Sequence, residues 1–124
     1  MTKTPFVLIV EDDDWLAEQH VRTLTGVGMR AESVPHALAA IDAIDTTTPD
    51  AIVLDVLLVG PNAFTLLHEL RSHADLMAIP VVICSNSADQ LAQEDLAVYG
   101  VKIVLDKATM KPNDLVVAIR KVLP

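Results

Sequence analysis

The chain has 124 residues, of which 52% are hydrophobic, and its formal net charge is -8. This length suits one domain with a real core, and the hydrophobic content excludes a disordered chain. The negative charge argues against direct nucleic-acid binding, which needs a basic surface. No apolar run approaches the ~18 residues of a membrane span, and the first residues lack the apolar core of a signal peptide. With only one cysteine, Cys84, the chain suits a reducing compartment, so we expect a cytoplasmic protein.

Short apolar runs alternate with segments of helical periodicity five times along the chain. Continuous apolar runs of this length are typical of strands buried on both faces of a parallel sheet. The predicted strands are residues 6–10, 30–34, 51–55, 79–84 and 101–105. The first predicted helix begins at Asp13 or Asp14 and runs up to Gly26 or Gly28. The other four cover residues 35–44, 62–73, 88–99 and 115–123. This alternation predicts a three-layer (βα)5 domain, doubly wound around a five-stranded parallel sheet, and residues 1–124 form that one domain.

Acidic residues follow two of the predicted strands. Four acids, from Glu11 to Asp14, come directly after the first strand. Asp13 or Asp14 is explained as the N-terminal cap of a helix. Glu11 and Asp12 are not, because they fall at the strand end, where packed carboxylates repel one another unless a cation lies among them. Asp55 ends the third strand, where a charged group is costly to bury without a partner.

The ends of parallel strands meet at one edge of a sheet, and polar residues collect there. Glu11 and Asp12 follow strand 1, Asp55 strand 3, Ser85 strand 4, and Lys107 strand 5. Three carboxylates suit a hard divalent cation such as Mg²⁺. A hydroxyl and an ammonium group beside it suit a phosphoryl group. The sequence therefore predicts a phosphoryl-transfer site with an aspartate nucleophile.

On these residues the chain resembles the response-regulator receiver domain of two-component signalling, over essentially its whole length. The resemblance rests on the acidic pair Glu11-Asp12, on Asp55, on Ser85 and on Lys107, which agree with the family in type, order and context. It implies a flavodoxin-like fold with strand order 2-1-3-4-5. It also implies a stand-alone receiver that catalyses only its own phosphorylation and dephosphorylation.

The resemblance also implies a role for each site residue. Asp55 would be the phosphoacceptor. Asp12, Asp55 and the backbone carbonyl of Leu57 would bind Mg²⁺ or Mn²⁺, and Glu11 would act through a water molecule. The residues that would contact the phosphoryl group or respond to it are Ser85, Asn86 and Lys107.

The partners that the resemblance implies are proteins. A histidine kinase or a histidine phosphotransfer protein would donate the phosphoryl group, and an unidentified downstream protein would receive the signal. We expect no nucleic-acid or membrane partner, and a monomer or weak dimer.

Several positions depart from the family pattern near the end of the chain. Val104 stands where an aromatic switch residue is usual, Ala108 replaces the proline after the lysine, and Asn86 replaces a small residue. A cis bond before a residue other than proline costs about 2.5–4 kcal/mol. We therefore predict a trans Lys107-Ala108 peptide, a shifted loop over residues 108–111, and a Lys107 side chain that still reaches Asp55.

Three other functions differ in what they require of the sequence. A pseudo-receiver would keep the fold as a binding scaffold without phosphorylation, and the altered positions favour it. A Mg²⁺-dependent phosphatase would need a second aspartate at the position of Leu57. A nucleotide-binding flavodoxin-like protein would need a glycine-rich loop where the four acids stand. The phosphoacceptor receiver accounts for more of the residues than any of these.

Overall fold

A computed structural model describes residues 4–55, 61–73, 76–85, 97 and 99–123, without the side chains of residues 61–65. Five strands form one parallel sheet in the order β2-β1-β3-β4-β5. The strands are β1 (Phe6–Val10), β2 (Arg30–Val34), β3 (Ala51–Asp55), β4 (Val81–Ser85) and β5 (Val101–Asp106). The described helices are α1 (Asp14–Thr25), α2 (Ala37–Thr46), α3 (Pro61–Ser72) and α4 (Pro112–Val122). The predicted fold class and strand order are confirmed; the helix predicted over residues 88–99 lies almost wholly outside the described residues.

Two apolar layers cover the sheet, because successive side chains of a strand point to opposite faces. In β1, Leu8 and Val10 pack towards α2 and α3, whereas Val7 and Ile9 pack towards α1 and α4. Every residue of β1 and of β4 is buried, as are the first four residues of β3. The edge strand β2 is mostly exposed, in agreement with its weak apolar pattern. The residues at the carboxyl ends of the three central strands are therefore held by buried, fully packed strands.

Two helix starts differ from the sequence prediction by two residues or more, and capping explains both. Helix α2 begins at Ala37 and not at Pro35, because His36 is the N-cap and its Nδ1 accepts a hydrogen bond of 3.1 Å from the backbone N–H of Ala39. Helix α4 begins three residues before the predicted Leu115. Pro112 occupies its first turn, and the Asp114 side chain accepts a 2.8 Å hydrogen bond from the backbone N–H before the proline.

Smaller differences concern strand limits. Strand β4 covers Val81–Ser85, two residues after the predicted start, and β5 extends one residue further, to Asp106. Gly100 precedes β5 with a positive φ of 83°, a conformation that glycine adopts without strain. None of the described helices combines the length and apolar character that a bilayer crossing requires.

Candidate phosphoacceptor site

The register of the sheet aligns the carboxyl ends of its central strands. Val10 lies beside Leu54, Asp55 beside Cys84, and Ser85 beside the last residue of β5. Glu11 follows β1, and its backbone N–H donates to the end of β2. The predicted residues Glu11, Asp55, Ser85 and Lys107 therefore lie at the same edge because four parallel strands end there together.

Lys107 joins the two buried carboxylates at this edge. Its Nζ lies 2.8 Å from Asp55 Oδ2, 3.2 Å from Glu11 Oε2 and 3.4 Å from Glu11 Oε1. The side chains of Lys107, Glu11 and Asp55 are 10%, 3% and 4% exposed. Water therefore screens this ion-pair network little, and its charges act on one another more strongly than surface charges do.

The electrostatics of this network are strongly perturbed. The pKa of Glu11 is raised from 4.5 to about 8, first by burial and then by the hydrogen bond and charge of Asp55, which together outweigh the lowering by Lys107. Burial lowers the pKa of Lys107, but the hydrogen bond and charge of Asp55, together with Glu11, outweigh burial and raise that pKa overall. The surroundings therefore favour the charged form of Lys107 and the neutral form of Glu11. Such perturbed groups in a cluster are a mark of functional sites.

Three carboxylates at this edge fit a divalent cation. One oxygen from each of Glu11, Asp12 and Asp55 lies within 4.8 Å of the others. Asp12 is exposed, whereas the other two are buried, so the cluster is open on one side. An all-oxygen donor set of carboxylates is the type that Mg²⁺ and Mn²⁺ take, with water filling the remaining positions. The donor chemistry of the described residues fits the ion that the sequence predicts.

The turn after β5 holds Lys107 in place. The backbone N–H of Lys107 donates to the carbonyl of Ser85 over 3.0 Å, so the ends of β4 and β5 are tied together. Asp106 accepts 2.9 Å hydrogen bonds at Oδ1 from the N–H of Ala108 and at its carbonyl from the N–H of Met110. The Lys107-Ala108 peptide is trans, since the described residues contain no cis bond. The predictions of a trans bond and of a lysine that reaches Asp55 are confirmed; the shift of the loop stays a prediction.

Other predicted site residues are placed less fully. Ser85 is 1% exposed at the end of β4. Asn86 and Leu57 lie outside the described residues. Val104 is half-buried in β5 and packs on the core beside α2 and α3. The structure thus brings together the acids and Lys107, with Ser85 at the adjacent strand end.

Sequence reasoning missed the surroundings of two polar side chains, His20 and Tyr99. His20 is 7% exposed on the inner face of α1, and burial, followed by the charge of Lys107, lowers its pKa. The sequence signal for its burial is its helical spacing from Ala17 and Leu24, which are both buried. Tyr99 forms a 3.1 Å hydrogen bond with Nε2 of His68, in an edge-to-face ring contact. Cys84 is a buried thiol, and burial raises its pKa to about 12.

The sheet has five parallel strands in this order, and acids and a lysine cluster at its carboxyl edge. Together, these two features define a class of signalling domain. The model of the response regulator receiver domain family matches residues 7–120. The chain therefore belongs to the response regulator receiver domain family, whose members act in two-component systems.

Its relatives are regulators of bacterial gene expression. The chain is 32% identical to the transcriptional regulatory protein CseB of Streptomyces avermitilis, over 99% of this chain and 51% of CseB. It is 28% identical to the DNA-binding response regulator MtrA of Mycolicibacterium smegmatis, over 92% of this chain and 48% of MtrA. The chain thus spans about half the length of these curated relatives.

A solved receiver domain from Methylobacillus flagellatus has the same fold. It superposes with a TM-score of 0.81 at 24% identity, over 97% of this chain and 99% of that domain. This likeness covers nearly all of both chains and supports the fold described above.

Proposed function

We propose that Asp55 accepts a phosphoryl group from a phosphohistidine of a histidine kinase or a phosphotransfer protein. The observation that most supports this role is the 2.8 Å contact between Lys107 Nζ and Asp55 Oδ2 within a cluster of three carboxylates. The ammonium group of Lys107 contacts one carboxylate oxygen of Asp55. Asp12 is exposed, so the cluster is open to solvent on the side where Asp12 lies. A buried aspartate with no such function would be costly to retain there.

The chemistry is a displacement at phosphorus. A carboxylate oxygen of Asp55 attacks, the P–O bond forms, and the P–N bond to the donor histidine breaks. Lys107, preorganised beside Asp55, stabilises the negative charge on the moving phosphoryl oxygens. Asp12 and Asp55, with Leu57 through its carbonyl and Glu11 through water, would hold a Mg²⁺ ion, which supplies further positive charge to those oxygens. Ser85 and Asn86 then bind the phosphoryl group after transfer.

The signal leaves the domain through a protein partner. A new phosphoryl dianion on Asp55 changes the charge beside Lys107 and Ser85, which are joined by backbone hydrogen bonding at the ends of β4 and β5. We propose that this change alters the binding of a downstream protein. The cytoplasmic location and the monomer or weak dimer stay predictions.

The test is intact-mass measurement after incubation with acetyl phosphate and Mg²⁺. We expect the wild-type protein to gain the mass of one phosphoryl group, and Asp55→Asn to gain none, because an amide is not a nucleophile for this transfer. Asp50→Asn is the matched control, since Asp50 is engaged with the backbone N–H of Phe6 at the other end of the sheet. Unchanged mass in the wild type would favour the pseudo-receiver scaffold.

A further inference from the structure

A second concave site lies between α2 and α3, away from the carboxylate cluster. The two helices start beyond the carboxyl ends of β2 and β3 and run back towards the amino ends of the strands. The cavity is lined mainly by the later turns of both helices, so it faces the opposite edge of the sheet from Asp55. Its volume is about 170 Å³. The apolar lining residues are Ile41, Ile44, Leu70 and Leu76, and the polar ones are Asp45, Glu69 and His73. We call this site the α2–α3 cavity.

Two exposed apolar side chains belong to residues that are close in sequence to the lining of the α2–α3 cavity. Leu38, which is 68% exposed, lies one helical turn before Ile41 on α2. Met77, which is 43% exposed, directly follows Leu76 in the chain. These are two of the five large hydrophobic side chains that are exposed in the described part of the chain. An apolar surface that continues into a cavity is typical of a binding surface, whereas single exposed apolar residues are ordinary.

The rim of the α2–α3 cavity is negatively charged. Asp45 lies in the last turn of α2, and that turn contains no basic residue. The C-terminal end of a helix carries a partial negative charge, which here adds to the Asp45 carboxylate. Glu69 contributes a second carboxylate, 2.9 Å from Nε2 of His73. The polar group that would complement this rim is a cation beside Asp45.

We propose that the α2–α3 cavity docks a basic amphipathic segment of a partner protein. One aliphatic side chain of that segment enters the cavity, and a neighbouring lysine or arginine lies against Asp45 and the C-terminal end of α2. Pockets for small molecules have volumes of roughly 300–1,000 Å³. A cavity of about 170 Å³ is therefore sized for one side chain of a larger partner, with Leu38 and Met77 adding contact area around it. Because the site lies at the opposite edge from Asp55, docking is independent of phosphorylation.

The experiment uses a synthetic helical peptide with leucines on one face and lysines on the other. Binding is followed by the methyl NMR signals of the protein, in the presence of Mg²⁺ so that the carboxylate cluster does not attract the lysines. A second peptide, with glutamates in place of the lysines, tests the sign of the charge. We expect shifts at Ile44 and Leu70 with the first peptide and none with the second. Asp55→Asn should bind the first peptide as the wild type does, which separates this proposal from the proposed function.

Two variants and one matched control test the location. Asp45→Lys reverses the charge of the rim, and Ile41→Phe fills the cavity while it keeps the surface apolar. Each should weaken binding about tenfold, as for residues at the centre of an interface. Glu32→Lys makes the same charge change on the exposed edge strand β2, and binding should change less than about twofold.

Three results would overturn the proposal. The lysine peptide could fail to bind, its shifts could fall outside the cavity, or Glu32→Lys could weaken binding as much as Asp45→Lys does. The last result would mean that the peptide responds only to the net charge of the protein.

Discussion

Lys107 keeps the pattern of the receiver family, whereas its neighbours Val104, in β5, and Ala108, in the turn after it, depart from that pattern. In the turn after β5, Lys107 is 10% exposed and contacts both Asp55, the proposed phosphoacceptor, and Glu11. Three residues earlier, Val104 packs on the core where the family has an aromatic switch residue. One residue later, Ala108 takes the place of the usual proline, with a trans bond before it. If Asp55 accepts a phosphoryl group as proposed, the comparison implies that the reaction and its readout depend on separate side chains, so that the second can change while the first is kept.

The largest effect is expected from Lys107→Met, which removes the cation but keeps the length of the side chain. We expect phosphorylation of Asp55 by acetyl phosphate to slow by about 10²–10³, the usual loss when one preorganised charge-stabilising group is removed. The measurement is the rate of phosphoryl incorporation by intact mass. Lys111→Met, at the N-cap of α4, should keep the wild-type rate. A rate for Lys107→Met within a fewfold of the wild type would place charge stabilisation elsewhere.

A smaller effect concerns pH and the protonated Glu11. Its pKa is raised from 4.5 to about 8 in the folded protein, so between these values the folded state binds a proton that the unfolded state has released. The free energy of unfolding should therefore fall as pH rises towards 8 and then level off. The pKa of His20 is lowered from 6.5, so His20 makes the free energy of unfolding rise with pH below 6.5. The clear window is therefore pH 6.5 to 8.

Denaturant unfolding in EDTA across this window checks the prediction. Glu11→Gln should abolish the decline, whereas Glu18→Gln, on the exposed part of α1, should preserve it. Mg²⁺ favours the ionised carboxylate, so its apparent affinity should rise over the same interval. A stability that is constant or that increases from pH 6.5 to 8 would mean that Glu11 is ionised in the folded protein.

The sequence predicted the parts of the fold that depend on short, continuous apolar runs. Strands β1, β3 and β4 are buried throughout or nearly so, and their carboxyl ends could be aligned because parallel strands share one direction. That alignment was enough to group Glu11, Asp55 and Lys107. It could not show that Lys107 contacts both acids, because the reach of a long side chain depends on the turn that Asp106 stabilises.

Unusual caps and contacts between distant elements are not predictable from the sequence. The imidazole of His36 caps α2, although histidine is not among the preferred capping residues, and Pro35 is the more usual residue for a helix start. The contact of Tyr99 with His68 joins residues 31 positions apart. The α2–α3 cavity is lined by residues of α2, of α3 and of the segment after α3, and no periodic pattern in the sequence indicates such a cavity.

The smallest expected effect is in the turn after β5, where the backbone N–H of Ala108 donates to Oδ1 of Asp106 over 2.9 Å. Ala108→Pro removes the donor and Asp106→Ala removes the acceptor. Each should lower the free energy of unfolding by about 0.5–1.5 kcal/mol, the usual net contribution of one hydrogen bond, and towards the lower value because this bond is exposed. Since both changes delete the same bond, the double variant should cost about as much as one of them. Asp106→Asn keeps an acceptor oxygen and should be close to the wild type.

The same variants relate the turn to the reaction. If the reaction and its readout depend on separate side chains, Ala108→Pro should still be phosphorylated at nearly the wild-type rate, because Lys107 remains tied to Ser85 through its own backbone N–H. Chemical denaturation and intact-mass kinetics on the four proteins measure both effects. Fully additive costs would show that Asp106 and Ala108 act through different contacts. A large loss of phosphorylation in Ala108→Pro would show that the turn positions Lys107, and that the two functions of this strand are not separate.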